Sequence, residues 1–301
     1  MSAAVSSHLR GRLLVFAATF LWGTSAVLAR HVFRASSVPP LTVVELRLLI
    51  SVVMLGSWLA WRKREALRVE RRDWGAFVLL GVVGVAAIQG GYYYSISVLG
   101  VGRAILIQYL APTLIVIWEV MRGARPNGRV ALTVAAALLG TALLVGNLGA
   151  SRGDARPLDW AISFSTALTF AFYIVFSKRV LARYAPETVL LYTFLIAGTL
   201  WAIVTPPVRI AHAGYDANTW LLFVVLALAS ALVPFACFYA GLRRLSAAEA
   251  GIFATLEPLV AVLAAWIALG EGLDFVQWIG ALLVVAAALM ASAGWGLEPA
   301  R

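Results

Sequence analysis

The sequence predicts an all-α membrane protein whose ten transmembrane helices form two inverted five-helix repeats. The first observation behind this prediction is composition, because 62% of the 301 residues are hydrophobic and only 13% are charged. Soluble globular chains are about 45–50% apolar and about 25% charged. The second observation is that charged residues cluster between long apolar runs, and the third is that the second half of the chain repeats features of the first.

The apolar runs are long enough to be membrane spans, since a bilayer core about 30 Å thick is crossed by about 20 residues of helix. Ten runs are predicted, at residues 13–32, 39–61, 74–99, 102–121, 130–148, 158–177, 186–207, 219–242, 246–269 and 275–295. The first run follows Arg10 and Arg12, as the apolar part of a secretory signal would. Its counterpart at 158–177 favours a span that is retained.

The loops predict the orientation of the chain, because basic residues near span ends stay on the cytoplasmic side. Seventeen Lys and Arg residues, including those between Arg62 and Arg72, lie in loops on one side, and six lie on the other. This distribution places both termini in the cytoplasm. The same distribution explains the net charge of +10, because the excess basic residues lie in the cytoplasmic loops. We therefore expect no nucleic-acid partner.

An internal repeat divides the chain into residues 1–150 and 151–301. A shift of 146 positions aligns residues of low-frequency types: Pro40 with Pro186, Trp74 with Trp220, Tyr93 with Tyr239, and Pro112 with Pro258. Each unit has five spans, and an odd number means that the second unit enters from the opposite face. Inverted repeats are typical of secondary transporters that bind their cargo near the bilayer midplane.

Pro112 and Pro258 fall near the middle of their spans. Proline removes a backbone donor and frees carbonyls in the preceding turn. Such carbonyls need partners in a bilayer, so a broken helix is expected to face protein or a wet cavity. A packing kink is the alternative for either proline alone. The symmetric pair predicts helix breaks that shape and gate a site.

Three charged side chains lie within predicted spans. Glu257 is at the centre of its span, where an ionised carboxylate costs several kcal/mol. It is therefore either protonated or paired structurally, or it contacts a cationic group or a proton in transit. Glu45 and Arg47 are two residues apart and point to roughly opposite sides of a helix. For both we favour interior ion pairing with other helices over direct substrate contact.

Aromatic and amide side chains near span centres predict the wall of a midplane cavity. The candidate substrate-binding residues are Trp22, Gln89, Tyr93, Gln108, Tyr109, Tyr173, Tyr239 and Glu257. Trp22 stands out because the other ten tryptophans lie near span ends. Packing in the core is the alternative for Trp22 and for each tyrosine. Such a chamber suits a small amphipathic organic molecule better than a bare ion.

Several kinds of site have no support in the sequence. It contains no glycine-rich phosphate-binding loop, and its three histidines and its one cysteine, Cys237, are too scattered for a metal cluster. No serine elbow or paired-histidine motif supports catalysis. We therefore expect no cofactor, no metal and no enzymatic activity.

Motifs in three spans resemble those of the EamA-type exporters of the drug/metabolite transporter superfamily. They are FLWGTS at residues 20–25, Arg47, LEPL at residues 256–259, Ala265-Trp266, and Leu269-Gly270-Glu271. The resemblance covers nearly the whole chain. It implies a ten-helix inverted-repeat fold, a central cavity drawn from both halves, and export of amino acids or related metabolites across a bacterial inner membrane.

The sequence departs from that pattern at Arg125, which stands opposite Glu271 in the repeat alignment, so the first unit lacks the acidic end of the ninth-span motif. Unlike the small multidrug relatives in the same superfamily, the first span has no carboxylate between Leu13 and Ala29. Proton and drug exchange at the first span, as in the small multidrug relatives, is therefore not expected. A facilitative channel and an exporter of cationic drugs are the alternative functions. The cargo, coupling to protons or other ions, and oligomeric state do not follow from the sequence.

Overall fold

The protein is a bundle of long helices. The structure, a computed structural model, describes residues 2–35, 38–125, 127–145, 155–270 and 272–293, and it has no β-strand within these ranges. Glu271, which the repeat alignment places opposite Arg125, lies outside them.

The helices follow the predicted spans. They are α1 Ser2–Ala35, α2 Pro40–Arg62, α3 Arg71–Leu99, α4 Val101–Met121, α5 Gly128–Val145, α6 Pro157–Leu181, α7 Pro186–Val204, α8 Ala217–Leu242, α9 247–269 and α10 Phe275–Ser292. In the part of the chain that the structure describes, nine of them, α2 to α10, are long and apolar enough to cross a membrane. The bounds of α2 to α10 lie within about four residues of the prediction. α1 begins well before residue 13, because the helix continues through the polar residues that precede the apolar run.

Local chemistry explains where several helices begin. Proline occupies the first turn of α2, α6 and α7, where its missing N–H and fixed φ cost nothing. Side chains cap the N-termini of α8, α9 and α10: Asp216, Ser246 and Asp274 accept hydrogen bonds from the backbone N–H three residues on.

The third and eighth helices each contain a π-helical segment. These segments are Leu80–Ala86 in α3 and Leu228–Leu232 in α8, and the shift of 146 positions brings their last residues into register. Pro234 follows the second segment and cannot donate to the carbonyl of Ser230. A π-helical turn absorbs such a lost hydrogen bond and rotates the rest of the helix.

The fourth and ninth helices are each interrupted near the middle. α4 is helical over Val101–Gln108 and Ala111–Met121, and α9 over Ala247–Ala254 and Leu256–Leu269. The breaks fall three residues before Pro112 and Pro258, which lie in the first turns of the segments that follow. The helix breaks are thus present, and their role in gating stays a prediction.

Close glycine contact joins α5 and α10. A Cβ added to Gly280 would lie 2.6 Å from the backbone nitrogen of Leu144 and 2.7 Å from the carbonyl oxygen of Gly140. Gln277 donates from Nε2 to the carbonyl of Leu144 at 3.2 Å. Small residues let helix backbones approach closely in membranes, where packing replaces the hydrophobic effect.

Charged contacts at one end of the bundle join the first 150 residues to the rest. Arg12 Nε lies 2.8 Å from Glu249, Lys63 Nζ 2.9 Å from Glu187, and Arg183 Nη1 2.6 Å from Asp73. The loops that carry most of the basic residues lie here, and we call it the basic end. Asp73 at the start of α3 and Arg243 at the end of α8 both lie at this end, where Lys178 Nζ donates to the Arg243 carbonyl. α3 and α8 therefore run in opposite directions.

We predict that Gly280→Val lowers the melting temperature of the purified protein. The added side chain would overlap the α5 backbone, and overpacking of this kind costs about 1–3 kcal/mol. Gly75→Val is the matched control, because a Cβ at Gly75 meets nothing within 4 Å. Thermal unfolding in detergent, followed by size-exclusion chromatography, measures both variants. Equal melting temperatures for Gly280→Val and the wild type would contradict the packing described here.

Candidate functional site

A cavity of about 180 Å³ lies inside the bundle, between α1, α2, α3, α4, α6, α8 and α9. Its polar wall consists of Ser25, Arg47, Gln89, Tyr92, Tyr93, Gln108, Tyr173, Ser230 and Glu257. Its apolar wall consists of Trp22, Val43, Val85, Ile88, Phe170, Leu226 and Phe235. Both halves of the chain contribute to it.

Helical spacing explains which side chains reach the cavity. Residues four apart lie on one face of a helix, as do Val43 and Arg47 on α2 and Val85 and Gln89 on α3. The π-helical segments lie at the same level, since Val85 and Ser230 belong to them. The departures from regular helix thus occur where the chain borders the cavity.

The structure brings most of the candidate binding residues together. Trp22, Gln89, Tyr93, Gln108, Tyr173 and Glu257 all line the cavity. Two candidates do not. Tyr109 is buried and contacts Glu257, and Tyr239 is buried against Tyr173 with ring centroids 5.7 Å apart.

Tyr239 lies outside the cavity because of the direction of its helix. Tyr93 on α3 is far from the basic end, whereas its repeat counterpart Tyr239 on α8 is close to it. The cavity is displaced away from the basic end, so only Tyr93 reaches it. Tyr239 instead joins an aromatic layer between the cavity and the basic end.

This aromatic layer is densely packed. The ring of Trp22 lies 5.0 Å from Phe235 and 5.5 Å from Phe238, and Phe238 stacks on Tyr173 at 6.1 Å. Phe194 packs edge-on against Phe235 at 5.1 Å. The side chains of Phe194, Phe238, Tyr173 and Tyr239 are at most 1% exposed. The layer closes the cavity toward the basic end.

Arg47 is held on the cavity wall by neutral groups. Its Nη2 donates to Gln89 Oε1 at 2.7 Å, its Nη1 lies 3.4 Å from Ser230 Oγ, and its guanidinium is 6.0 Å from the centre of the Tyr93 ring. Its Nε is buried without a hydrogen-bond partner. A guanidinium has five N–H donors, so Arg47 keeps donors free for a further acceptor.

Glu257 lies in the first turn after the α9 break. Tyr109, at the break in α4, donates from Oη to Glu257 Oε2 at 2.7 Å. Among the described residues, Tyr109 is the only hydrogen-bond donor to this carboxyl group. The two helix breaks therefore meet across the bundle, and the contact joins the two halves of the chain.

The predicted ion pairing of Glu45 and Arg47 stays a prediction. No ion pair involves either side chain within the described ranges. Glu45 is fully buried on the other side of α2 and accepts a hydrogen bond from the hydroxyl of Thr205. Arg47 faces the cavity and contacts amide and hydroxyl groups. Among the described residues, the hydrogen-bond partners of both side chains are therefore neutral polar groups, and Glu45 Oε1 and Arg47 Nε have none.

Sequence reasoning missed Ser230 and Phe235 as wall residues. Both lie around the π-helical segment of α8, and Pro234 beside Phe235 was a signal of that irregularity. No group of three or more His, Cys, Asp or Glu side chains that could hold a metal occurs in the described part of the chain.

Comparison with known proteins relates both halves of the chain to one family. The model of the EamA-like transporter family matches residues 9–146 and 160–293. The uncharacterized inner membrane transporter YicL of Salmonella typhimurium is 26% identical over 295 residues, which cover 96% of this chain and 97% of that protein. The threonine/homoserine exporter RhtA of Escherichia coli is 25% identical over 280 residues, covering 92% and 88%.

A solved crystal structure has the same fold. It matches with a TM-score of 0.77 and 22% sequence identity, covering 94% of this chain and 96% of its own.

We predict that Tyr109 and Glu257 are energetically coupled. Tyr109→Phe and Glu257→Gln should each lower the free energy of unfolding. The decrease in the double variant should be smaller than the sum of the two single decreases by about 1–3 kcal/mol, because both changes act on one buried hydrogen bond. Tyr215→Phe is the control, since Tyr215 packs on Phe223 away from Glu257. It should combine additively with Glu257→Gln. Additivity of Tyr109→Phe with Glu257→Gln would argue against the contact.

Proposed function

Because this chain belongs to the EamA-like transporter family, we propose that it is a secondary transporter that exports small metabolites, amino acids or related amphipathic molecules, across a bacterial inner membrane. The observation that carries this proposal is a cavity that is built from both halves of the chain and lined by a guanidinium, a carboxyl group, amides and aromatic rings. The direction of transport rests on the exporter RhtA among its relatives.

We propose ten crossings, with both termini in the cytoplasm. At 1.5 Å per residue, the 34 residues of α1 extend about 51 Å, more than the bilayer core. The predominance of Lys and Arg at the basic end supports a cytoplasmic location for that end. The two separate matches to the family model support two units at residues 1–150 and 151–301. The opposite directions of α3 and α8 support inversion of the second unit relative to the first.

The transport mechanism that this arrangement favours is alternating access. In the conformation described, charged contacts between the halves and the aromatic layer both lie between the cavity and the cytoplasmic side. If the two units are inverted copies, an exchange of their conformations produces the opposite state, in which the cavity opens to the cytoplasm and is closed on the periplasmic side. In that state Tyr239 would line the cavity, and Tyr93 would join a packed layer on the periplasmic side.

The alternatives have less support. A channel needs a continuous wet path, whereas the aromatic layer blocks the cytoplasmic side of the cavity. An exporter of drug-sized cations needs more room, because pockets for such ligands measure about 300–1,000 Å³ and the present cavity measures about 180 Å³. Arg47 would also repel a cation. A small molecule that carries an acidic group fits better.

Counterflow in proteoliposomes tests the carrier proposal. We expect vesicles preloaded with an unlabelled amino acid to accumulate the same labelled compound transiently, for at least one member of a panel of common amino acids. Trp22→Ala should slow counterflow about tenfold or more, since it removes a large aromatic wall. Trp61→Ala is the control, because Trp61 is 74% exposed and far from the cavity.

Two outcomes would oppose the proposal. Flux that rises linearly with concentration and shows no counterflow would indicate a channel. Absence of flux for every compound in the panel, with correctly folded protein in the vesicles, would contradict metabolite transport.

A further inference from the structure

We propose that Arg47 and Glu257 together select the cargo: Arg47 binds the carboxylate of a small zwitterionic metabolite, and Glu257 binds its ammonium group. This assignment rests on the proposed function, because it concerns the same cavity. The two side chains come from α2 and α9, one from each half of the chain, and both face the same cavity of about 180 Å³.

The two groups are held apart rather than paired. No ion pair joins Arg47 to Glu257 in the part of the chain that the structure describes. Each is fixed by a neutral partner: Gln89 Oε1 accepts from Arg47 Nη2 at 2.7 Å, and Tyr109 Oη donates to Glu257 at 2.7 Å. These partners orient the groups without neutralising them. The cavity therefore presents a guanidinium and a carboxyl group in fixed positions.

Unused hydrogen-bonding atoms support a ligand at this position. Arg47 Nε and Gln108 Oε1 are buried and have no hydrogen-bond partner in the protein. A buried polar atom without a partner costs about 1–3 kcal/mol, so such atoms are rare unless something else satisfies them. A carboxylate would accept from Arg47 Nε, and an ammonium group would donate to Gln108 Oε1 as well as to Glu257.

Charge arithmetic favours a zwitterion over other small molecules. A simple anion would pair with Arg47 but face the acidic group of Glu257. A simple cation would pair with Glu257 but be repelled by Arg47. A neutral molecule would supply neither an anionic acceptor for Arg47 nor a cationic donor for Glu257, and the two groups would have only their attraction for each other. A zwitterion satisfies both at once, and a guanidinium can bind its carboxylate through two N–H donors.

The remaining wall indicates where the side chain of the ligand would lie. Trp22, Phe235, Ile88 and Leu226 provide the apolar surface. The small volume restricts that side chain to a few heavy atoms. A ligand held in this way would contact α2 of the first half and α9 of the second. Its binding would therefore affect the position of both units relative to each other.

Charge-deleted analogues test the assignment. The probes are threonine, homoserine, alanine and methionine, each with its methyl ester, which lacks the negative charge, and its 2-hydroxy acid, which lacks the positive charge. Binding to purified protein in detergent is measured by calorimetry. For at least one of the four, we expect both analogues to bind about tenfold or more weakly than the parent amino acid, as expected for loss of a charge-assisted hydrogen bond.

The variants assign each charge to its residue. Arg47→Gln should abolish the preference for the amino acid over its ester and keep the preference over the hydroxy acid. Glu257→Gln should do the opposite. Glu45→Gln is the control, because Glu45 is a buried carboxyl group on α2 outside the cavity, and it should keep both preferences. Monodisperse elution of each variant establishes that it is folded.

The outcomes separate this assignment from the proposed function. If the wild type prefers zwitterions and both Arg47→Gln and Glu257→Gln keep that preference, the assignment of the two residues is overturned. If, for each of the four amino acids, the ester and the hydroxy acid bind as tightly as the amino acid itself, selection by charge is overturned. Counterflow of any compound would still support a carrier. Absence of counterflow would count against the carrier itself.

Discussion

A basic group, the guanidinium of Arg47, and an acidic group, the carboxyl group of Glu257, lie inside the membrane with no ion pair among the described residues, and they constrain the rest of this structure. A guanidinium or carboxylate in the bilayer interior is costly unless protein groups or water surround it. Here Gln89, Ser230 and Tyr93 surround Arg47, and Tyr109 contacts Glu257. Each partner comes from a different helix than the charge it stabilises. The helices must therefore meet at one level, and the cavity lies where they do.

Departures from regular helix make this meeting possible. The breaks before Pro112 and Pro258 bring Tyr109 to Glu257, and the π-helical segments carry Val85 and Ser230 to the cavity wall. The breaks are symmetric in the repeat, but the chemistry is not. Tyr109 aligns with Thr255, and Glu257 aligns with Ala111, so one half supplies the phenol and the other the carboxyl group. The two halves thus contribute different chemical groups to one cavity.

Much of the fold could be predicted from the sequence, because apolar length, charged loops and proline position act locally. The spans and the helix breaks follow from these features, and six cavity residues follow from the aromatic and polar side chains near span centres. The direction of Arg47 could not be predicted. Its spacing from Glu45 shows that the two point apart, but only packing determines which one meets the cavity. Tyr239 is the repeat counterpart of Tyr93, yet its position relative to the cavity depends on which end of the bundle is closed.

The most direct test of this account is an experimental structure with an amino acid bound, at a resolution that distinguishes its carboxylate from its side chain. The account predicts the ligand in the cavity, its carboxylate within hydrogen-bond distance of Arg47 and its ammonium group within hydrogen-bond distance of Glu257. A ligand bound elsewhere, or one that contacts neither charged group, would contradict it.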